Sequence, residues 1–247
     1  MGSSESVCVI GWGRMGKNAA RLFWPWLQVT VVSRRDVRRE VEAVGAVFAD
    51  RKDRALKAAD FVFLAVPVDI IQKWTARINR YTRSDCVIMD CCTARVAAEE
   101  ALKNIQRKRF GIPEIRRGTI PVIGNPDERI ARYLGKWGCK LQPMTAEEYD
   151  RSNTDAGIAH FLGMALDLYL DDAQRNRLKT AKSGAFLLQL IEHLKGNSPT
   201  TYRETQVLNA YMSEARKGLI KVLENTDKEL DKGIFRFRTY PWEQWRE

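Results

Sequence analysis

Histidine is nearly absent from this chain: His160 and His193 are the only two in 247 residues, and both lie in the second half. Cysteine is scarce and irregular, at Cys8, Cys86, Cys91, Cys92 and Cys139, with no Cys-x-x-Cys pair. A disulfide framework and a zinc site both need clustered, regularly spaced ligands, so neither they nor any other metal is expected. Cys8, Cys91 and Cys92 lie in or just after runs that read as buried strands, and reduced thiols in a core point to the cytoplasm. A redox role for the adjacent Cys91 and Cys92 is the lesser reading beside plain burial. No run approaches the ~20 consecutive apolar residues of a membrane helix, and no secretory signal is read. The opening Met1-Gly2-Ser3-Ser4-Glu5-Ser6 reads as a short polar leader, though it also fits the loose N-myristoylation pattern.

Apolar residues make up 45% of the chain, enough for a real core, so wholesale disorder is excluded. Lys and Arg number 41 against 31 Asp and Glu, a formal charge of +10. The basic clusters, Arg34-Arg35, Arg38-Arg39, Arg107-Lys108-Arg109 and Arg116-Arg117, are scattered, and aromatics do not alternate with them. That pattern suits a small anionic ligand better than a nucleic-acid partner, and no membrane partner is expected.

Two textures divide the chain near residue 145. In residues 1–144, apolar β-branched runs alternate with helix-like stretches. Val7 to Ile10, Val29 to Val32, Ala46 to Phe48, Phe61 to Val66 and Cys86 to Asp90 read as strands. Such alternation predicts right-handed crossovers and a doubly wound parallel sheet. In residues 145–247, Ala146 to Leu170, Ala181 to Leu194 and Tyr202 to Leu230 carry apolar residues at helical spacing. Thr145 with Glu148 forms a capping-box pattern, and Gly196-Asn197-Ser198-Pro199 breaks the helices. A helical set this short completes its core by pairing, so a homodimer is expected. The aromatic, basic tail from Phe235 to Trp242 reads as an extended strap.

Gly11-Trp12-Gly13-Arg14-Met15-Gly16 follows the first strand and opens a helix, the context that gives a Gly-x-Gly-x-x-Gly pattern meaning. Gly11 permits the tight turn, Gly13 lets backbone approach a pyrophosphate, and Gly16 seats the helix on the sheet. The fold class is therefore α/β, a Rossmann-type sheet followed by an all-α part. After the second strand an NAD site usually carries an acid, whereas this chain has Ser33-Arg34-Arg35, a hydroxyl and two guanidinium groups suited to a 2′-phosphate. NADP is expected over NAD, with Asp36 as the late competing acid. Ala65-Val66-Pro67 ends the fourth strand on the nicotinamide side, and Thr93 and Arg95 follow the fifth. Thr93 is a hydrogen-bonding candidate near the nicotinamide, or an N-cap for the next helix, or both; Arg95 is a candidate for anion binding.

Together with Leu64-Ala-Val-Pro67 and Asp90-Cys-Cys-Thr-Ala-Arg95, the glycine motif resembles the prephenate/arogenate dehydrogenase family of tyrosine biosynthesis. Met144-Thr-Ala-Glu-Glu-Tyr-Asp-Arg151, Gly157-Ile-Ala-His-Phe-Leu-Gly-Met-Ala-Leu166 and Ser198-Pro-Thr-Thr-Tyr-Arg-Glu-Thr-Gln206 with Asn209 extend the resemblance to about residue 210. It implies a helical dimerisation domain, an active site between it and the cofactor domain, and oxidative decarboxylation of a cyclohexadienyl substrate. The resemblance also implies a His-Pro-Met-x-Gly segment after the fifth strand and its helix. Here that region reads Phe110-Gly111-Ile112-Pro113-Glu114-Ile115-Arg116-Arg117-Gly118, without histidine. His160 matches a family histidine, which makes His160 and Thr93 the catalytic candidates and His160 a substrate contact as well. His193 stands where many members carry a substrate-gripping arginine, although the preferred reading of it is a helix C-terminal histidine facing the dipole. The alternative to an active dehydrogenase is a member that keeps the dinucleotide but has lost or changed the chemistry, serving as a regulatory or interaction protein or reducing another substrate.

Overall fold

The computed structural model describes residues 5–232, so residues 1–4 and the tail at 235–242 lie outside the described residues. Strand and helix alternate as β1 (Ser6–Ile10), α1 (Arg14–Phe23), β2 (Gln28–Val32), α2 (Arg38–Glu42), β3 (Val47–Phe48), α3 (Lys52–Ala58), β4 (Phe61–Leu64), α4 (Val68–Tyr81), β5 (Val87–Asp90) and α5 (Arg95–Leu102). Three further strands follow, β6 (Arg109–Gly111), β7 (Gly118–Ile123) and β8 (Cys139–Met144), with α6 (Glu128–Trp137) between the last two. The sheet runs β3-β2-β1-β4-β5-β6-β7-β8. Every pairing from β3 to β6 is parallel. β7 meets β6 antiparallel, and β8 returns parallel to β7. The expected doubly wound sheet is thus extended by a mixed edge that the apolar pattern does not announce.

Its strands are apolar on both faces because both are covered. Val7, Val9, Phe61 and Phe63 point into the cluster under α1, where Ala19, Leu22 and Phe23 are buried. Their alternate neighbours Cys8, Ile10, Val62 and Leu64 point to the other side, against Leu56, Ile71, Ile78 and Ala98. Burial pushes the Cys8 and Cys86 thiols up to about 12, and raises those of Cys91 and Cys92 with the Asp90 charge adding to it. A reactive cysteine needs the reverse shift, so the redox reading of Cys91 and Cys92 finds no support.

From Ala146 onward every described element is helical: α7 (Ala146–Tyr169), α8 (Asp172–Leu178), α9 (Lys182–Lys195), α10 (Pro199–Arg203), a π-helical turn (Glu204–Leu208) and α11 (Met212–Leu230). The capping box at Thr145 and Glu148 is formed. A Cβ on Gly157 would collide with Met212, and one on Gly163 with Leu194, so these two glycines let α7 sit close against α11 and α9. The single helix expected from Tyr202 to Leu230 is instead broken at 209–211. Asn209 turns its amide to the Asp150 carbonyl (2.8 Å) and accepts from the Tyr211 N–H (2.9 Å), diverting backbone groups from the helix. Among the described residues no helix is long and apolar enough to cross a membrane, and no cluster of three metal-ligating side chains occurs.

Candidate functional site

The strand order places the reversal of winding between β1 and β4, and ligands of doubly wound sheets bind at the carboxyl ends of strands beside that point. Gly11 leaves β1 there with φ +109°, its N–H donating to the Val32 carbonyl (2.8 Å). A Cβ on Gly11 would strike the Ala65 carbonyl oxygen, and one on Gly16 the Gly11 carbonyl oxygen, so the protein's own packing demands both glycines. Gly13 is different. A Cβ there meets nothing within 4 Å, and the residue is exposed. Its bareness serves space outside the protein, as a site for an approaching phosphate would require.

Helix α1 begins at Arg14 with no acid in its first turn and no side-chain cap, leaving its N–H groups and positive dipole end free. Met15 is half-buried in that turn. Trp12 turns inward, 4% exposed, its Nε1 donating to Glu40 (3.1 Å), so only its backbone is available to a ligand. At the end of β2, the Ser33 hydroxyl accepts from the Arg35 N–H (3.3 Å), while Arg34 and Arg35 extend into solvent and join no salt bridge among the described residues. Asp36 accepts from the Arg38 N–H (3.0 Å), closing the turn into α2. Ala65, Val66 and Pro67 are half-buried beside the glycine turn, with the Ala65 N–H donating to the Ile10 carbonyl (2.8 Å).

The helical half lies over this same edge. Arg14 donates to Asn197 (3.1 Å), and Arg203 pairs with Asp69 on α4 (3.2 Å). Asp150 of α7 accepts from the Arg95 and Val96 N–H groups at 2.7 and 3.0 Å, capping α5 from across the chain. Glu204 accepts from the Thr93 N–H (2.9 Å), the Thr93 hydroxyl (3.0 Å) and, more loosely, the Val68 N–H (3.3 Å). Both carboxyls are buried, and burial outweighs these hydrogen bonds, raising each above its ordinary value.

Two expectations are corrected here. Arg95 is not available to an outside anion: its side chain is 0% exposed and grips Asp90 through both terminal nitrogens, with Cys92 O and Glu99 as further acceptors. Burial disfavours its charge, but the Asp90 carboxylate more than compensates and keeps the guanidinium protonated. Thr93 is not the N-cap of α5; Ala94 holds that position and Asp150 supplies the oxygens. Thr93 does reach the sheet's carboxyl edge, half-buried, with its hydroxyl on Glu204.

His160 lies elsewhere on α7, its ring tilted against Tyr202 at 5.4 Å between centroids. Its Nδ1 is buried without a hydrogen-bond partner among the described residues, and burial, helped by His193, lowers its pKa and favours the neutral ring. Among the described residues, no hydrogen bond joins His160 to Thr93, whose hydroxyl is on Glu204 instead. His193 is exposed in the last turn of α9, the placement of a histidine facing a helix dipole. Asp150 and Glu204 were not singled out from sequence, although each lies in a motif that carried the family resemblance.

Comparison with known proteins gives a consistent picture. Residues 26–125 match the family model described as the prephenate dehydrogenase nucleotide-binding domain. A probable arogenate/prephenate dehydrogenase of Methanocaldococcus jannaschii is 23% identical over 236 residues, covering 81% of this chain and 52% of the relative. The chain thus spans about half the length of that relative. Among solved structures, prephenate dehydrogenase from Aquifex aeolicus, in complex with hydroxyphenyl propionate and NAD+, superposes with a TM-score of 0.78 at 13% identity, covering 94% of this chain and 92% of that one. Synechocystis arogenate dehydrogenase gives 0.67 at 16% identity, with 92% of both chains covered. At these identities the superpositions speak to the fold. The family model over residues 26–125, the archaeal relative and the fold agree in making this chain similar to prephenate/arogenate dehydrogenases.

Proposed function

We propose that the chain is an NADP-dependent dehydrogenase that oxidatively decarboxylates a cyclohexadienyl substrate of the prephenate or arogenate kind. The observation that carries this reading is Gly13, bare toward open space in front of the uncapped α1. A dinucleotide fits there: Gly11, Gly13 and the first turn of α1 would hold its pyrophosphate, with the backbone of Trp12 and the residues Arg14, Met15 and Gly16 framing it. Ser33, Arg34 and Arg35 would hold a 2′-phosphate, with a hydroxyl and two guanidinium groups free of salt bridges among the described residues. Ala65, Val66, Pro67 and Thr93 would border the nicotinamide. Bound in this way, the dinucleotide supplies the acceptor for two electrons as hydride.

The chain's own residues enclose the ring. The helical half covers the carboxyl edge through Asn197, Arg203 and Glu204, limiting water there. With Arg95 committed to Asp90, Arg14 and Arg203 are cations at this edge that would attract an anionic substrate, and His193 is a further candidate contact. The division into a cofactor domain over 1–144 and a helical domain over 145–247 follows the change from strands to helices. We assign the homodimer contact to the helical half because Leu168, Tyr169, Phe186 and Leu190 stand exposed on it. A cytoplasmic location accords with five free cysteines.

The test is reduced-nicotinamide absorbance with prephenate and arogenate in separate assays, each with NADP+ and NAD+, beside Arg34→Ala and His160→Ala. Turnover favouring NADP+, with the preference narrowed in Arg34→Ala, supports the reading. Loss of turnover in His160→Ala would place His160 in the chemistry, whereas undiminished turnover would remove it. Binding of NADPH without turnover of either substrate would sink the dehydrogenase reading.

A further inference from the structure

Oxidising a ring carbon that bears a hydroxyl requires a group to draw off the hydroxyl proton. Among the described residues, no hydrogen bond joins either histidine to Thr93, which stands just past the end of β5. A buried carboxylate is joined to it. Glu204, 5% exposed, sits at the first position of a π-helical turn, a local widening of the helix that re-aims side chains and recurs at functional sites. It reaches back 111 residues along the chain to receive both the N–H and the hydroxyl of Thr93. Plain helix capping would be served by the N–H bonds alone; the hydroxyl bond adds a path by which a proton can move.

We propose that Thr93 and Glu204 together accept the proton of the substrate hydroxyl, Thr93 touching that hydroxyl and Glu204 acting through Thr93. This inference rests on the dehydrogenase reading above. In the step, the substrate O–H bond breaks and its proton goes to Thr93 Oγ1, while the Thr93 hydroxyl proton goes to Glu204 Oε2. The electron pair left on the substrate oxygen forms the carbonyl as hydride leaves the same carbon for the oxidised nicotinamide. Once carbon dioxide is lost and the ring is aromatic, the proton returns by the same path to the phenol oxygen, so none is released overall. Glu204 is the proton-accepting positioning residue, and Thr93 is the catalytic one.

The surroundings suit a proton acceptor. Asp90 on β5, the Cys91 and Cys92 thiols after it, and Tyr149 on α7 are the titratable groups facing Glu204; Asp90 is ion-paired with Arg95 and keeps its negative charge, and the Asp69–Arg203 pair lies at the exposed mouth. No salt bridge reaches Glu204 among the described residues, and burial with the Asp90 charge holds its carboxyl above the ordinary range, nearer the working pH.

Glutamine at position 204 keeps an acceptor oxygen and the side-chain shape but cannot take a proton, which makes Glu204→Gln the decisive variant. Its kcat should fall about 10²–10⁴-fold, the acid limb of the kcat–pH profile should vanish, and dinucleotide binding measured by fluorescence should not change. In the unliganded protein, infrared difference spectra should show a carboxyl band that titrates above the ordinary glutamate range and is missing in Glu204→Gln. Thr93→Val should repeat the kinetic loss and Thr93→Ser should restore it, a pair that decides the matter even if Glu204→Gln fails to fold. If the unmodified protein turns over and Glu204→Gln, or Thr93→Val, keeps both kcat and the acid limb, the relay is overturned and the dehydrogenase reading stands. If the unmodified protein binds dinucleotide but turns over neither substrate, the dehydrogenase reading falls and takes the relay with it.

Discussion

The sheet half and the helical half bury different things. Under the sheet, whole strands of Val, Ile, Leu and Phe disappear into two continuous apolar clusters, and of the charged side chains only Asp90, Arg95 and Asp127 go with them. In the helical half, Ile191, Leu194 and Met212 are buried beside Asp150, Glu204, Thr205, Gln206 and Asn209. The same half leaves Leu168, Tyr169, Phe186 and Leu190 in solvent. One half is held together by apolar area, whereas the other is pinned to its neighbour by hydrogen bonds that Asp150 and Glu204 accept from the first N–H groups of α5 and α4. Such polar anchoring fixes geometry at the cleft, while the exposed apolar face points to a further surface that would complete the core.

The sharpest way to break the sheet half is through its one fully buried ion pair. Arg95→Met would leave Asp90 charged and alone in the core, an expected loss of about 3–5 kcal/mol in urea unfolding, larger than removing any single helical-half anchor. Next in size is Gly11→Ala. Its φ of +109° and its collision with the Ala65 carbonyl oxygen should cost roughly 1–3 kcal/mol. Gly13→Ala, two residues on, should leave stability within about 0.5 kcal/mol while weakening dinucleotide binding, because nothing in the protein fills that space. Equal effects of the two substitutions on stability would overturn the reading of Gly13.

How far the sequence discloses these features depends on the range of the interaction. The glycine motif is legible because its demands are local: a turn at Gly11, a close approach at Gly16, and a bare edge at Gly13 follow from spacing after a strand. The capping box of α7 is legible for the same reason. Arg95 misleads because a basic residue just past a strand looks like a ligand-binding group. Only burial shows that Asp90, five residues earlier, is its partner. Glu204 is illegible, since its meaning comes from Thr93, 111 residues away, and a π-turn has no compositional signature. β6 has only three residues, and the six-residue β7 and β8 are interrupted by Gly118, Pro121 and Pro143 and by polar side chains, so they lack the apolar runs that announce the inner strands.

The two halves should also separate by pH. Asp60 sits below its ordinary value: burial raises it, but the Arg83 and Ser6 hydrogen bonds more than offset that. Its contribution is present above the unfolded carboxylate pKa and is lost as pH falls through the depressed folded value. Asp150 is the reverse, raised by burial against the hydrogen bonds from Arg95 and Val96. It holds its proton more tightly when folded, so its contribution is full below the unfolded carboxylate pKa and declines as pH rises toward the folded value. Asp150→Asn should flatten stability across that window and cost about 1 kcal/mol as a cap. Hydrogen exchange at the Arg95 and Val96 amides is the readout, and protection unaltered by the substitution would show that Asp150 is no anchor.

The smallest effect on the folded chain should come from the exposed apolar face. Leu168 is 88% exposed and Phe186 62%, and neither belongs to any buried cluster. Glutamate at both positions removes no internal contact that stabilises the single chain, so urea unfolding at low concentration should move by no more than about 0.5 kcal/mol. The same pair places like charges where two copies would meet, which costs an apolar interface far more than it costs a lone helix. Sedimentation should therefore show a dimer for the unmodified protein and a monomer for Leu168→Glu/Phe186→Glu. If the variant stays dimeric, the contact lies elsewhere, and the comparison sharpens to the face of α11, where Ile220 and Leu223 are exposed.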